Sequence, residues 1–407
     1  MSFKHVDVLI IGGGPAGLTA GLYASRARLK TVILEKGRPG GQIASTKTIE
    51  NWPGTLSSGG AELTDRMAEH ARHFGCELIK DEVKEVDFSG YEKLVKTKRQ
   101  DTYLAKAVII ASGAEPRVLG VKGEREFRGR GVSYCATCDA DFYTDASVVV
   151  VGNGDAAVEE AIYLTNYAAE VTLIVIHDEG ILDATKVIQE RAFANPKLKF
   201  KWNSVVEEIR GDEAVTSIVI KNIKTGELEE LPVDGVFFFV GTIPNTSFLQ
   251  GKVEMNDCGY IVTNEIMETS VAGVYAAGDC REKFLRQVVT AAADGAIAAT
   301  AAEKYIQEEE FFRAEVLQHD QPVLLAFWSP RVEDSLSAMA NVEKLQEKLG
   351  ARIKVTKIDT YRNTRLARRY RIEKVPAVLL LKQGEVVVQL KEFDVDAMEK
   401  AISPFIS

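Results

Sequence analysis

Residues 6–37 read VDVLIIGGGPAGLTAGLYASRARLKTVILEKG, and their pattern of apolar runs and glycines predicts the fold of the first part of the chain. An apolar, β-branched run ends in glycines, a helical segment follows over residues 16–27, and a second apolar run ends at Glu35. The glycines of the G-x-G-x-x-G pattern are Gly12, Gly14 and Gly17. Glycines at this spacing permit a tight turn and close approach to a pyrophosphate, and the acid can hold a ribose hydroxyl pair. The stretch therefore predicts a βαβ unit that binds a dinucleotide.

The same pattern recurs in residues 146–180, ASVVVVGNGDAAVEEAIYLTNYAAEVTLIVIHDEG. Here the glycine positions are occupied by Gly152, Gly154 and Ala157. Two nucleotide-binding folds in one chain predict a flavoprotein, with FAD in the first fold and a nicotinamide donor in the second. Residues 106–121 read as a strand and crossover, and residues 235–249 as a strand that returns to the first domain.

The rest of the chain completes the first domain and adds a further one. Residues 273–306 read as a strand, a Gly278–Asp279 turn and an alanine-rich helix, so the Asp279 carboxylate could meet a flavin ribityl or phosphate group. A charged run over residues 307–316 marks a boundary, and the last part alternates strand and helix as a small α/β domain. The expected boundaries are 1–114 and 245–308 for the first nucleotide-binding domain, 115–244 for the second and 316–407 for the last.

The totals exclude several classes of protein. The 407 residues carry a formal charge of −9, which argues against a nucleic-acid-binding protein. No apolar run reaches the roughly 18 residues of a membrane span, and the N-terminus enters a strand too soon for a signal peptide. The five cysteines, an odd number, favour a reducing cytoplasm over a secreted disulfide scaffold.

Residues 133–142, SYCATCDADF, hold a C-x-x-C pair, Cys135 and Cys138, followed by Asp139. A zinc site needs about four ligands, and neither the other cysteines nor the five histidines supply a second pair. A structural staple is also disfavoured, because so short a loop removes little entropy from the unfolded chain. A redox switch has a mechanism: two close thiols form a reducible ring, and the acid can move the proton that a leaving thiolate needs.

These motifs resemble the low-molecular-weight thioredoxin reductases over roughly residues 4–306, in segments such as GGQIASTKTIENWPG, GVSYCATCD and AAGDCREKFLRQVVTAAADG. The resemblance implies FAD, a redox disulfide with Cys138 nearer the flavin and Cys135 facing the substrate, thioredoxin or a similar protein as partner, a homodimer and a large domain rotation. It also implies the FAD-binding residues, which are Gly12, Gly14, Gly17, Glu35, Gln42, Asn51, Gly278, Asp279, Arg286 and Gln287.

The second nucleotide fold departs from the family pattern. NADPH-using relatives carry His-Arg-Arg after the second strand and another arginine downstream, whereas this chain has Val175, Ile176, His177 and Asp178, with Asp183 near the downstream position. Carboxylates would repel a 2′-phosphate, so NADPH is not expected. NADH remains open through a degenerate site at Gly152, Gly154, Ala157, His177 and Asp178. An empty fold, a relaxed NADPH site at His177, and a different donor, as in ferredoxin-fed relatives, also remain open.

The C-terminal segment resembles a thioredoxin over about 75 residues, with Pro376 at the position of the cis-proline. Its W-C-x-x-C positions fall on Val332 and Ser335, so this domain cannot exchange dithiols and is expected to dock, regulate or stabilise a dimer. Arg362, Arg365 and Arg369 fall on one predicted helix face, which is either a solvated charged face or a surface that steers an acidic partner such as ferredoxin.

The sequence thus predicts a flavoprotein that passes electrons through Cys135 and Cys138 to a protein disulfide. Two alternatives stay open: a flavin-bound redox sensor or scaffold without disulfide turnover, and a reductase for a peroxiredoxin. The intact CATCD segment argues against a pure scaffold. Peroxiredoxin-reducing relatives carry their thioredoxin-like part at the N-terminus with its cysteines, so they match less well.

Overall fold

A computed structural model describes residues 3–46, 49 and 51–406, except for the side chains of Thr137 and Cys138. The chain divides into two units, Met1–Glu303 and Lys304–Ser407. Among the described residues, no helix has the length and hydropathy that a membrane span requires.

The first sheet forms around the opening βαβ unit. Its strands run in the order β3-β2-β1-β6-β5-β4, and β17 pairs with β6. The central strands β1, β2 and β6 are parallel and apolar over their buried stretches, residues 8–11, 32–34 and 107–110, as expected where both faces of a sheet are covered. The elements are β1 (Phe3–Ile11), α1 (Pro15–Arg26), β2 (Thr31–Glu35), α2 (Gly60–His73), β3 (Glu77–Lys80), β4 (Val83–Asp87), β5 (Lys93–Thr97), β6 (Thr102–Ile110), β17 (Val274–Ala276) and α6 (Val288–Phe312).

The second nucleotide fold forms a five-stranded parallel sheet in the order β11-β10-β9-β15-β8. An antiparallel sheet of three strands, β12-β13-β14, shares an apolar core with it. The elements are β8 (Val132–Ser133), α3 (Ala136–Asp139), β9 (Ser147–Val151), α4 (Asp155–Leu164), β10 (Glu170–Ile174), α5 (Lys186–Ala194), β11 (Leu198–Lys201), β12 (Ser204–Gly211), β13 (Val215–Asn222), β14 (Leu228–Pro232) and β15 (Gly235–Phe238).

Two short strands carry the chain between these folds. Strand β7 (Ala114–Pro116) leaves the first sheet and pairs antiparallel with β16 (Thr242–Pro244), which returns to it. The sequence reading of residues 106–121 and 235–249 as outgoing and returning segments agrees with this pairing.

The second unit has a four-stranded sheet in the order β19-β18-β20-β21, in which only β18 and β19 are parallel. Residues of β18 alternate between the two faces: Leu324 and Ala326 pack with α7 and α9, while Leu325 and Phe327 pack with Phe312. The elements are β18 (Val323–Trp328), α7 (Glu333–Leu349), β19 (Lys354–Asp359), α8 (Thr364–Arg369), β20 (Ala377–Lys382), β21 (Glu385–Leu390) and α9 (Val395–Ile402). The charged run expected at the boundary is helical, as the end of α6 and a π-turn at Arg313–Leu317.

Candidate active site

The redox loop follows the short edge strand β8. Cys135 is the N-cap residue of helix α3 and is half-buried, and its sulfur is in a disulfide. The C-x-x-C motif predicts Cys138 as the disulfide partner of Cys135. The side chain of Cys138 lies outside the described residues. Ala136 and Ala140 anchor the loop in the core of the second fold. The half-buried Cys135 sulfur is therefore carried by a loop that packs against the parallel sheet of the second fold.

Asp139 is held by a serine that precedes the cysteines. The hydroxyl of Ser133 donates to Asp139 Oδ2 at 2.6 Å, and the backbone N–H of Cys135 donates to the same hydroxyl oxygen at 3.1 Å. Asp139 is partly buried. The predicted acid therefore lies within the hydrogen-bond network of the redox loop.

The glycine loop of the first fold fits a dinucleotide. Side chains at Gly12 or Gly17 would collide with backbone carbonyl oxygens, so these two glycines are required by close packing of strand, turn and helix. Gly14 is different: a Cβ there would have Gly41 Cα as its nearest neighbour, at 3.8 Å, and its φ of −77° suits any residue. The protein itself does not require a glycine at this position. A ligand approaching the N-terminus of α1 would require it.

The acid at the end of β2 caps this loop. Glu35 Oε2 accepts the N–H of Gly13 at 2.7 Å, and Oε1 accepts the N–H of Gly37 at 2.7 Å. The carboxylate is therefore fixed beside the glycine loop, where each oxygen still has a lone pair for a ribose hydroxyl.

Three buried polar atoms near the predicted FAD site have no hydrogen-bond partner among the residues that the structure describes. They are Ser112 Oγ, Asp279 Oδ1 and Arg286 Nε. Buried polar atoms in proteins are normally paired, so unpaired donors and acceptors in one region indicate groups that a polar ligand would satisfy. Burial raises the pKa of Asp279 above its ordinary range, against the opposing effect of Lys283 and Arg286. A hydroxyl-rich and phosphate-bearing ligand such as FAD fits these atoms.

Other predicted flavin-contacting residues lie around the same region. Asn51 Nδ2 donates to Gln287 Oε1 at 3.1 Å, which joins two segments far apart in sequence, and Gln42 donates to the carbonyl of Ala114. Gly278 has a positive φ of 78°, and its N–H donates to the buried Asp294 at 3.0 Å. The structure thus brings both halves of the first domain to one site.

The second nucleotide-binding fold retains the glycine loop, but the residues that follow its strand β10 differ from the family pattern. Gly152 is required by packing against Phe239, whereas Gly154 has no atom within 4 Å of a Cβ position.

Asp183 Oδ2 accepts from Asn153 at 2.9 Å and lies 3.1 Å from His177 Nε2, while Asp178 pairs with Lys224. The loop that carries arginines in NADPH-using relatives therefore presents paired carboxylates.

The second unit retains the predicted proline geometry without thiols. The Val375–Pro376 peptide bond is cis. Val332 precedes α7 as its N-cap residue, and Ser335 is fully buried within that helix. Among the described residues, no group of three or more His, Cys, Asp or Glu side chains is arranged for a metal ion.

Comparison with known proteins identifies the first unit. A family model described as pyridine nucleotide-disulphide oxidoreductase matches residues 6–295, and a thioredoxin model matches residues 303–404. A thioredoxin reductase of Peptoclostridium acidaminophilum is 52% identical over 308 residues, which cover 74% of this chain and 97% of the relative. The chain belongs to the thioredoxin reductase family. It is therefore an oxidoreductase with a Rossmann-type fold and a C-terminal thioredoxin domain, and the family implies FAD and a pyridine nucleotide.

Solved thioredoxin reductases have the same fold. The Lactococcus lactis enzyme in its FR conformation superposes with a TM-score of 0.73 at 43% identity, covering 74% of this chain and 99% of its own. The T. acidophilum enzyme gives a TM-score of 0.70 at 36% identity, covering 74% of this chain and 98% of its own. The family resemblance and the α/β fold class expected from the sequence are confirmed.

Sequence reasoning missed several residues of the site. Ser133 and Ser112 carry no signal in the sequence, because a lone serine beside a motif is common. Glu124 is fully buried and accepts a hydrogen bond from Tyr134 at 2.6 Å, immediately before Cys135.

Phe142, 82% exposed just after the redox helix, is an apolar side chain available to a protein partner. The sequence CDADF could have drawn attention to it.

Proposed function

We propose that the protein is a disulfide reductase that passes electrons through a Cys135–Cys138 disulfide to thioredoxin or a thioredoxin-like protein. The observation that carries this proposal is the disulfide at Cys135 with Asp139 hydrogen-bonded into the same loop. A scaffold has no need of a reducible bond beside a positioned acid. The exposed Phe142 supports a protein as the partner.

The cofactor would be held by the residues predicted from sequence. Gly12, Gly14 and Gly17 would accommodate the pyrophosphate at the start of α1, and Glu35 the adenosine ribose. The unpaired atoms of Asp279 and Arg286 would meet further polar groups of the ligand, with Gln42, Asn51, Gly278 and Gln287 around them. A bound FAD, once reduced by the electron donor, would supply the two electrons that open the disulfide.

The reduced cysteines would act in two steps. The Cys135 thiolate attacks the partner disulfide, forms a mixed disulfide and expels one partner thiolate. The Cys138 thiolate then attacks Cys135, re-forms the internal disulfide and expels the second partner thiolate. The two cysteines lose two protons and the partner gains two, and Asp139 is placed to carry a proton between them. The order of the cysteines rests on the family resemblance.

We propose that the electron donor is NADH and not NADPH. The open space beside Gly154, at the start of α4, supports the binding of a dinucleotide by the second fold. At the far end of that site, the Asp183 carboxylate would repel a 2′-phosphate and Asp178 is paired with Lys224, while a carboxylate can accept a hydrogen bond from a ribose 2′-hydroxyl. The same degenerate site would also include Gly152, Ala157 and His177 as residues that contact the dinucleotide.

The structure weakens the case for ferredoxin. Besides the altered second nucleotide fold, that case used an arginine-rich helix face, but Arg362 precedes α8, and Arg365 and Arg369 both bond to Glu309. Two of the three guanidinium groups therefore share one carboxylate within their own unit, which lowers the net positive charge of this face. Ferredoxin remains the second candidate because Arg368 and Arg371 add further positive charge nearby.

The expected domain boundaries and assembly complete the proposal. Residues 1–114 and 245–308 form the FAD-binding domain, 115–244 the nicotinamide-type domain with the redox pair, and 316–407 the thioredoxin-like domain, with the β7–β16 pair between the first two supporting the first division. We expect a homodimer. Free thiols at Cys76, Cys258 and Cys280 are consistent with a reducing compartment such as the cytoplasm.

A donor screen tests this function. The flavin-loaded protein is mixed anaerobically with NADH, NADPH or reduced ferredoxin, and the loss of flavin absorbance is followed with and without oxidised thioredoxin. We expect NADH to bleach the flavin at least about tenfold faster than NADPH at equal concentration, which corresponds to about 1.4 kcal/mol. Rapid bleaching by NADPH would contradict the donor proposal, and a reduced protein that leaves thioredoxin oxidised would favour a redox sensor.

A variant provides the matched control for the screen. The triple substitution I176R/H177R/D183R places arginines where NADPH-using relatives carry them and removes one carboxylate. We expect the variant to bleach faster with NADPH than the wild type does, because guanidinium groups bind a 2′-phosphate. Unchanged use of both nucleotides would show that this loop does not contact the donor.

A further inference from the structure

One hydroxyl in the redox loop contacts three polar groups. Ser133 is 5% exposed at the end of β8. Its Oγ lies 2.6 Å from Asp139 Oδ2, 3.1 Å from the backbone nitrogen of Cys135 and 3.3 Å from the carbonyl oxygen of Cys135. A hydroxyl has one hydrogen to donate and two lone pairs to accept with. Ser133 accepts from the Cys135 N–H, so its single hydrogen goes to either the Asp139 carboxylate or the Cys135 carbonyl.

We propose that Ser133 is the positioning residue for the proton carried by Asp139, and that its hydroxyl reverses direction when that proton arrives. When the carboxylate is ionised, the hydroxyl donates to it, and 2.6 Å is a typical length for an O–H···O⁻ hydrogen bond. When the carboxyl is protonated, its own O–H donates to Ser133 Oγ, and the serine hydrogen turns to the Cys135 carbonyl. The inference rests on the proposed disulfide exchange.

The two states need no movement of heavy atoms. The same oxygen serves as donor in one state and as acceptor in the other, and the Cys135 N–H remains bonded to it in both. Little reorganisation therefore accompanies gain or loss of the proton at Asp139. The hydroxyl also ties the carboxyl to the backbone of the cysteine whose sulfur exchanges with the partner.

The elements next to Asp139 carry no cationic side chain among the described residues. Helix α3, the turn at Ala140–Tyr143, helix α4 and strand β15 contain no Lys, Arg or His. Burial, then the carboxylates of Asp139 and Asp234, raises the pKa of Tyr143, so this neighbour stays neutral. The titratable groups on or beside these elements are Asp141, Tyr143, Asp155, Glu159, Glu160, Tyr163 and Asp234. The Ser133 hydroxyl is thus a neutral donor in acidic surroundings, and its loss should favour the protonated carboxyl.

The test uses the flavin-loaded protein, reduced with dithionite and mixed with oxidised thioredoxin in a single turnover from about pH 5 to about pH 9. Removing the hydroxyl with S133A should shift the midpoint of the rate–pH profile upward by about one pH unit. S133T keeps a hydroxyl and should restore the wild-type midpoint. The control S217A removes another Ser–carboxylate bond, from Ser217 to Glu230 at 2.6 Å, and should leave the profile unchanged.

A second probe separates proton delivery from general damage to the loop. Dithiobis(nitrobenzoate) expels a thiolate that needs no proton, so S133A should slow its reduction less than it slows reduction of thioredoxin. An S133A profile that coincides with the wild-type profile, or equal slowing with both probes without rescue by S133T, would overturn the inference alone. A wild-type protein that reduces neither probe would overturn the proposed function together with it.

Discussion

Tyr134 joins a buried carboxylate to the redox loop. Its hydroxyl donates to Glu124 Oε1 at 2.6 Å. Glu124 is fully buried, and it also accepts the backbone N–H groups of Leu119, Gly120 and Val121. Burial, followed by the bond to Glu124, raises the pKa of Tyr134, so the phenol remains a donor at neutral pH. This pair ties the start of the redox loop to the segment that enters the second fold.

Removing this phenol tests its contribution. We expect Y134F to lower the free energy of unfolding by about 2 kcal/mol, because a buried carboxylate loses one of its hydrogen-bond donors. Urea unfolding of the flavin-loaded protein at neutral pH measures the effect. The control Y361F changes a tyrosine that is 57% exposed and should be neutral. Equal stability of the two variants would show that Glu124 is satisfied without Tyr134.

Residues of the site differ in how far sequence could predict them. The glycines, Cys135 and Asp139 belong to contiguous patterns whose chemistry depends on spacing along the chain. Ser133 meets Asp139 only because the chain turns from strand β8 into helix α3 between them. That contact depends on the path of the backbone, which a lone serine in a sequence does not reveal.

At the level of elements, helix α8 shows why a charge pattern was misread. The prediction placed Arg362, Arg365 and Arg369 on one helix face, but α8 begins at Thr364, so Arg362 lies outside it. Arg365 and Arg369 donate to the buried Glu309, which lies 56 and 60 positions earlier on α6. A partner so distant in sequence cannot be inferred from the helix alone, whereas the strands and helices themselves follow from local apolar patterns.

The ion pairs of Glu309 predict a pH dependence of stability. Burial opposes ionisation, but the hydrogen bonds and charges of Arg365 and Arg369 outweigh it and lower the pKa of Glu309 below its ordinary value of 4.5. A carboxyl with a lowered pKa in the folded state stabilises the fold above its unfolded value, and this contribution is lost as the pH falls through the folded value.

Calorimetry of the full chain measures this effect. At pH 7, E309Q should lower the free energy of unfolding of the Lys304–Ser407 unit by about 2 kcal/mol, since it leaves two arginines without their anion. The difference from wild type should shrink as the pH falls below about 4.5. E347Q, at an exposed position of α7, serves as the control. A constant difference at all pH values would contradict the ion-pair explanation.

At the level of the whole molecule, the second unit lies outside the part of the chain that matches the reductase relatives. The P. acidaminophilum relative is covered to 97% of its length by 74% of this chain. The second unit has no thiol at Val332 or Ser335 and takes no part in the proposed exchange. Its sequence therefore predicted the fold of this unit but left its role open.

Truncation tests whether the first unit is sufficient. A chain that ends after Glu303 should bind flavin and reduce thioredoxin within about twofold of the full chain, because a domain with its own core folds alone. Flavin content and turnover with the donor found in the screen are the measurements, and the full-length protein prepared in parallel is the control. Loss of turnover with flavin retained would assign the second unit a part in the reaction.

The exposure of the free cysteines allows a fluorescent dye to be attached at one chosen position, so that motion within this chain can be measured. Of the three free cysteines among the described residues, Cys258 is exposed, while Cys76 and Cys280 are buried. In the oxidised protein, a maleimide dye would therefore attach selectively at Cys258, within the proposed FAD-binding domain. A second dye would be introduced on the proposed nicotinamide-type domain. Energy transfer between the two dyes would then report the distance between these domains in single molecules during turnover.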